Sequence, residues 1–195
     1  MKKRVLFFSV IMMALILGAC SSGFKADHHY SIDPFEFTNQ NNESVTLDDL
    51  KGEIWLAQFV FTSCTSVCPP MMTNMSDLQE KLVDKNIEDY KIVSFSVDPE
   101  VDTPEKLAKY LDDFSVPDPS KWIMLTGYSM SDINDLAVKS FKMPVIDDPN
   151  TDQVIHGSRF GLVNKEGEVV KSYAGYEDVP FDTIVADMKA LSEED

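Results

Sequence analysis

Positive charge is scarce in this chain: 17 Lys and Arg face 33 Asp and Glu, a net charge of -16 over 195 residues. That balance argues against a nucleic-acid binder and against adhesion to anionic lipid through a basic patch. Cysteine and histidine are scarce as well, at three each. Two of the cysteines, Cys64 and Cys68, lie four residues apart. A loop that short removes little entropy from the unfolded chain, so the pair is read as reactive and not as a structural staple. Internal repeats and low-complexity tracts are absent, and 195 residues suffice for one domain with a proper core.

No apolar run reaches the length of a membrane span. The longest, Val5 to Leu17, follows Lys2, Lys3 and Arg4 and ends at Leu17-Gly18-Ala19-Cys20. A basic start, a short apolar stretch and small residues before a cysteine read as an export signal over residues 1–19. The closing motif resembles the bacterial lipobox, which makes Cys20 the expected lipidation site. Two acyl chains are the threshold for stable anchoring. Residues 1–19 hold three basic and no acidic side chains, so their removal takes the charge from -16 to -19. The expectation is an extracytoplasmic protein tethered to the cell membrane. Residues 20–33 are read as the lipidated tether, with His28 and His29 as a solvated pair.

Residues 34–195 are read as the folded domain. Short alternating pieces at Phe35–Phe37 and Val45–Leu47 flank Asn39–Asn42, which suggests an N-terminal hairpin. Ile54 to Phe61 is almost wholly apolar, as in a central strand covered on both faces. Met72, Met75, Leu78 and Leu82 recur at helical spacing and predict a helix over 69–85. Lys91–Val97 reads as the next strand, with Thr103-Pro104-Glu105 opening a helix to Phe114. A strand at Trp122–Leu125, a helix over 131–141, a hairpin around Asn164–Gly167 and a helix over 181–191 complete the order. This alternation predicts an α/β fold: a thioredoxin-like three-layer domain with an N-terminal hairpin and inserted elements. The two cysteines then lie at the carboxyl end of a central strand, where open α/β sheets place their sites.

Pro69 predicts an extended Cys68 at the N-cap of the following helix, with Cys64 in the loop before it. A helix N-terminus favours thiolate, the form that binds metal and attacks disulfides. His156 stands in the connection before the last hairpin, across from that loop in a thioredoxin topology. Two thiolates and one imidazole make a soft donor set that suits Cu(I), and Cu(II) when an oxygen completes the shell; zinc is the competing ion. Asp98 and Asp102 sit at a strand-to-helix crossing, where turn and helix-start chemistry accounts for both. Asp98 is also a candidate to orient a ligand or touch a partner. Met72 and Met75 fall on the buried helix stripe, which leaves Met71 as the one candidate soft ligand among them.

Cys64-x-x-x-Cys68-Pro69, Asp98-Pro99-Glu100-x-Asp102-Thr103-Pro104 and the distal His156 together resemble the Sco/SenC family. These are thioredoxin-fold proteins tied to assembly of the CuA centre of cytochrome c oxidase, and the similarity runs from about Phe35 to Leu191. The resemblance implies copper as cofactor, Cys64, Cys68 and His156 as its ligands, and a Cys64–Cys68 pair able to close to a disulfide. It also implies subunit II of the oxidase as partner, with a monomer as the default state. The competing class is a thiol–disulfide reductase that keeps the CuA cysteines reduced. Against it, Ser63 precedes Cys64 where thioredoxin-like reductases carry Trp, and a reductase has no need of His156. A peroxiredoxin would carry Pro and Thr where this chain has Ala57 and Phe61.

Overall fold

The computed structural model describes residues 23–147 and 154–194. The strands in chain order are β1 (Tyr30–Ser31), β2 (Glu36–Asn39), β3 (Ser44–Thr46), β4 (Ile54–Val60), β5 (Tyr90–Ser96), β6 (Trp122–Thr126), β7 (Val145–Asp147), β8 (Val154–His156), β9 (Arg159–Val163) and β10 (Glu168–Ala174). The helices are α1 (Leu47–Leu50), α2 (Cys68–Asp84), α3 (Pro104–Asp112), α4 (Met130–Phe141) and α5 (Phe181–Ser192). Eight strands form one sheet in the order β1-β10-β9-β4-β5-β6-β2-β3, and β7 with β8 forms a separate two-stranded ribbon.

All seven residues of β4 are buried, which is why its sequence is apolar without alternation. It pairs in parallel with β5 on one side and antiparallel with β9 on the other. The two faces of β4 meet different helices. Trp55 and Phe59 face Phe141 of α4, with ring centroids 6.2 and 5.3 Å away. On the opposite face Gln58 donates to the sulfur of Met72 on α2 at 3.2 Å, and α5 packs beside α2. A sheet with helices on both faces is the expected three-layer architecture. Gln58 also donates to Ser94 Oγ at 2.9 Å, and the Trp122 indole donates to the same oxygen at 2.8 Å. These bonds keep polar groups satisfied in the core.

Three elements depart from the expectations. Residues expected as tether lie along the sheet edge: β1 pairs with β10, and the Asp27 and His28 amides both donate to the Val170 carbonyl at 3.0 and 3.3 Å. The expected strand Val45–Leu47 stops at Thr46, whose side chain caps α1 in a capping box with Asp49. His156 is not in an open connection but ends β8, opposite Val145 of β7. Cys20, the signal residues before it and residues 148–153 lie outside the described residues.

Candidate metal centre

Strand β4 delivers the chain to the loop 61–67, and α2 starts at Cys68. The N-cap is Val67, in helical conformation, so Cys68 is the first helical residue and not the extended cap expected from Pro69. The reason lies in the backbone amides of that first turn. Pro69 and Pro70 have none, and Met71 N–H bonds to the Val67 carbonyl at 3.1 Å. The remaining amide, that of Cys68, donates to Cys64 Sγ at 3.3 Å. Two prolines and one backbone bond thus leave a single helix-terminal N–H, and it points at a sulfur. Cys64 itself is held by its own N–H to the Phe61 carbonyl at 3.3 Å.

The third group arrives from the ribbon. His156 Nε2 lies 3.3 Å from Cys68 Sγ, and Nδ1 lies 3.3 Å from the Gly157 carbonyl. The Gly157 carbonyl engages Nδ1, which leaves Nε2 as the ring atom that faces the sulfurs. Phe61 packs against the imidazole, ring planes near perpendicular and centroids 5.9 Å apart. Gly157 is set by close approach: a Cβ there would meet Met143 at 3.1 Å. Sulfurs and imidazole nitrogen all lie within 4.8 Å of one another. A single ion at about 2.0–2.3 Å from each donor needs a comparable spacing, so small side-chain adjustments admit it. Among the described residues these three form the group of metal-binding side chains.

The two thiols are not equivalent. Both are free, Cys68 is fully buried and Cys64 is 6% exposed. Cys64 is held down to about 3, chiefly by a hydrogen bond from the Cys68 thiol, against burial, with further help from His156 and backbone amides. Cys68 is pushed far up, first by giving that hydrogen bond and then by burial. The pair therefore shares one proton, carried by Cys68, and negative charge gathers on Cys64.

Asp98 and Asp102 diverge in role. Asp98 closes the turn after β5: its carbonyl accepts the Val101 and Asp102 amides at 3.1 and 2.9 Å. Its carboxylate also receives Ser63 Oγ at 3.5 Å, which places it beside the cysteine loop. Asp102 is fully buried and holds Thr62 by both its amide and its hydroxyl. Sequence reasoning assigned Asp102 only to turn chemistry. Its site role was hidden because its partner lies 40 residues away. Met71 is fully buried with Met72 and Met75, so all three serve the core, although Met71 falls off the stripe. His29 pairs with Glu168 at 3.0 Å at the sheet edge, and His28 stacks on Tyr30.

The chain matches the SCO1/SenC family model over residues 25–193. It is 46% identical over 182 residues to the SCO1 protein homolog of Bacillus subtilis, covering 93% of each chain. Three solved structures extend the likeness. BsSco, described as having a disulfide switch and belonging to the Sco family of cytochrome c oxidase assembly proteins, superposes with a TM-score of 0.82. It is 46% identical, with 89% of this chain and 100% of that one covered. A SCO1/SenC family lipoprotein from Bacillus anthracis gives a TM-score of 0.81 at 39% identity, covering 86% and 99%. Bradyrhizobium japonicum ScoI, solved with copper bound, gives 0.69 at 27% identity, covering 83% and 99%. A family match that spans the thioredoxin-like sheet and every element carrying the two thiols and the imidazole makes this chain a member of the SCO1/SenC family.

Proposed function

We propose that this protein holds one copper ion between Cys64, Cys68 and His156 and passes it to the CuA site of cytochrome c oxidase subunit II. The observation that carries the reading is the convergence of two thiol sulfurs and one imidazole nitrogen within 4.8 Å. Copper is favoured by the soft, three-membered donor set; a structural zinc site would want a fourth protein ligand. The copper-bound ScoI neighbour has the same fold, and BsSco is described as belonging to an oxidase assembly family. Cys20, in its lipobox-like setting, supplies the anchor that holds the domain at the outer face of the cell membrane. The lipoprotein relative from Bacillus anthracis supports that placement.

Ligand exchange follows from the asymmetry of the thiols. Cys64, ionised and slightly exposed where Cys68 is not, is the sulfur an incoming acceptor thiolate reaches first. Cys68, fully buried at the start of α2, releases last. The test is transfer. Copper-loaded domain, mixed with a metal-free subunit II domain, should build the CuA absorption as the donor's own sulfur-to-copper band fades. Copper that stays on the donor while the acceptor remains colourless contradicts delivery.

The same sulfurs favour a second reading, a thiol–disulfide reductase. Closing the Cys64–Cys68 disulfide yields two electrons, enough to open one acceptor disulfide to two thiols with two protons taken up. The observation behind it is that both thiols are free and the Cys68 amide donates to Cys64 Sγ at 3.3 Å, which favours the thiolate. Thiol counting on an oxidised subunit II domain separates the two. Two acceptor thiols gained per domain disulfide formed, without metal, identifies the reductase.

A further inference from the structure

We propose that Asp102 is a positioning residue of the metal centre: its buried carboxylate fixes the cysteine loop through Thr62 and biases bound copper toward Cu(II). The inference rests on the copper reading above and concerns a residue that touches none of the three ligands.

The carboxylate is fully buried and is held by three donors on two elements of the chain. Thr62 donates its amide at 3.2 Å to Oδ2 and its hydroxyl at 2.6 Å to Oδ1, and Ser96 donates its hydroxyl at 2.7 Å. The Asp102 carbonyl accepts Thr126 Oγ at 2.7 Å, which ties the same residue to β6. All three donors to the carboxylate are neutral, and no ion pair reaches it among the described residues. Hydrogen bonds stabilise such an anion but leave its net charge in place, where the low interior dielectric lets it act over distance.

That charge sits under the site. Thr62 is two residues before Cys64, so the carboxylate clamps the start of the loop that carries the first ligand. Cu(II) with two thiolates and a neutral imidazole carries no net charge, and adding one electron makes the assembly negative. A fixed anion alongside opposes that electron. Asp102 therefore favours the Cu(II) form and, by the same Coulomb argument, resists conversion to Cu(I).

The experiment is the Cu(II)/Cu(I) midpoint potential of the copper-loaded domain, read by the sulfur-to-copper band during electrochemical titration. Asp102→Asn keeps an acceptor for Thr62 and removes the charge. It should shift the equilibrium roughly tenfold toward Cu(I), about 59 mV for one electron. Thr62→Val keeps the charge and loosens the loop, and it should show no shift toward Cu(I). If Asp102→Asn does not fold, Asp102→Ser removes the same charge with a smaller neutral acceptor and should shift the equilibrium toward Cu(I) as well. An unchanged potential in the folded charge-removing variant, or a shift toward Cu(I) in both that variant and Thr62→Val, overturns the proposal. Wild-type protein that retains no copper rejects the copper reading and this proposal with it. Equal potentials in copper-retaining proteins reject this proposal alone.

Discussion

At the residue scale, the site depends on which sulfur gives up its proton. The Cys68 thiol donates to Cys64, and the one available amide of the α2 N-terminus points the same way, so negative charge collects on Cys64. An ordinary thiol loses its thiolate tenfold for each pH unit below its pKa, roughly a thousandfold between pH 8 and 5. Cys64, depressed to about 3, stays ionised over that whole range. Alkylation of the reduced domain by iodoacetamide should therefore be nearly independent of pH from 5 to 8 and should label Cys64. A rate that falls in parallel with a free cysteine contradicts the proton sharing. The thiols and His156 were legible as types and spacings, because reactive cysteines at a strand-to-helix handover need few other clues. Asp102 was not, since a buried carboxylate and a helix-start aspartate look alike until Thr62 and Ser96 are seen to converge on it.

At the element scale, the legible parts were those with a strong period or a hard stop. β4 showed itself by a sequence apolar but for Gln58, α2 by its 3.6-residue stripe, and α3 by Thr103, whose hydroxyl accepts the Lys106 amide at 3.4 Å. β1 was not legible because two residues joined by backbone bonds leave no side-chain pattern. β7 and β8 are three residues each, too short for alternation, so the ribbon that aims His156 read as a connection. The aromatic cluster of Trp55, Phe59, Phe95 and Phe141 locks α4 onto β4 and β5. Gly161 lies beneath it, with Phe141 at 3.3 Å from where a Cβ would stand, so there is no slack to refill a gap. Phe141→Ala should cost about 3–5 kcal/mol in denaturant unfolding. A loss below about 1 kcal/mol would mean that α4 is not held by this ring.

At the scale of the whole molecule, an acidic chain with 33 carboxylates against 17 basic groups sets its candidate metal centre beside the carboxyl end of β4 in an eight-stranded sheet. No helix among the described residues is long and apolar enough to cross a membrane, and the proposed anchor is a lipid on Cys20. Palmitate labelling of the full chain should be lost in Cys20→Ala, with the protein released from membranes. Persistent attachment in that variant contradicts the anchor. The central claim is a three-ligand copper site, and anaerobic titration of the reduced domain lacking residues 1–20 with Cu(II) tests it most directly, followed by visible absorption and EPR. The account predicts a stable one-to-one complex with sulfur-to-copper charge transfer, abolished in Cys64→Ser or Cys68→Ser and severely weakened in His156→Ala. Rapid bleaching to a Cys64–Cys68 disulfide with no metal retained, or an unchanged affinity in His156→Ala, would contradict it.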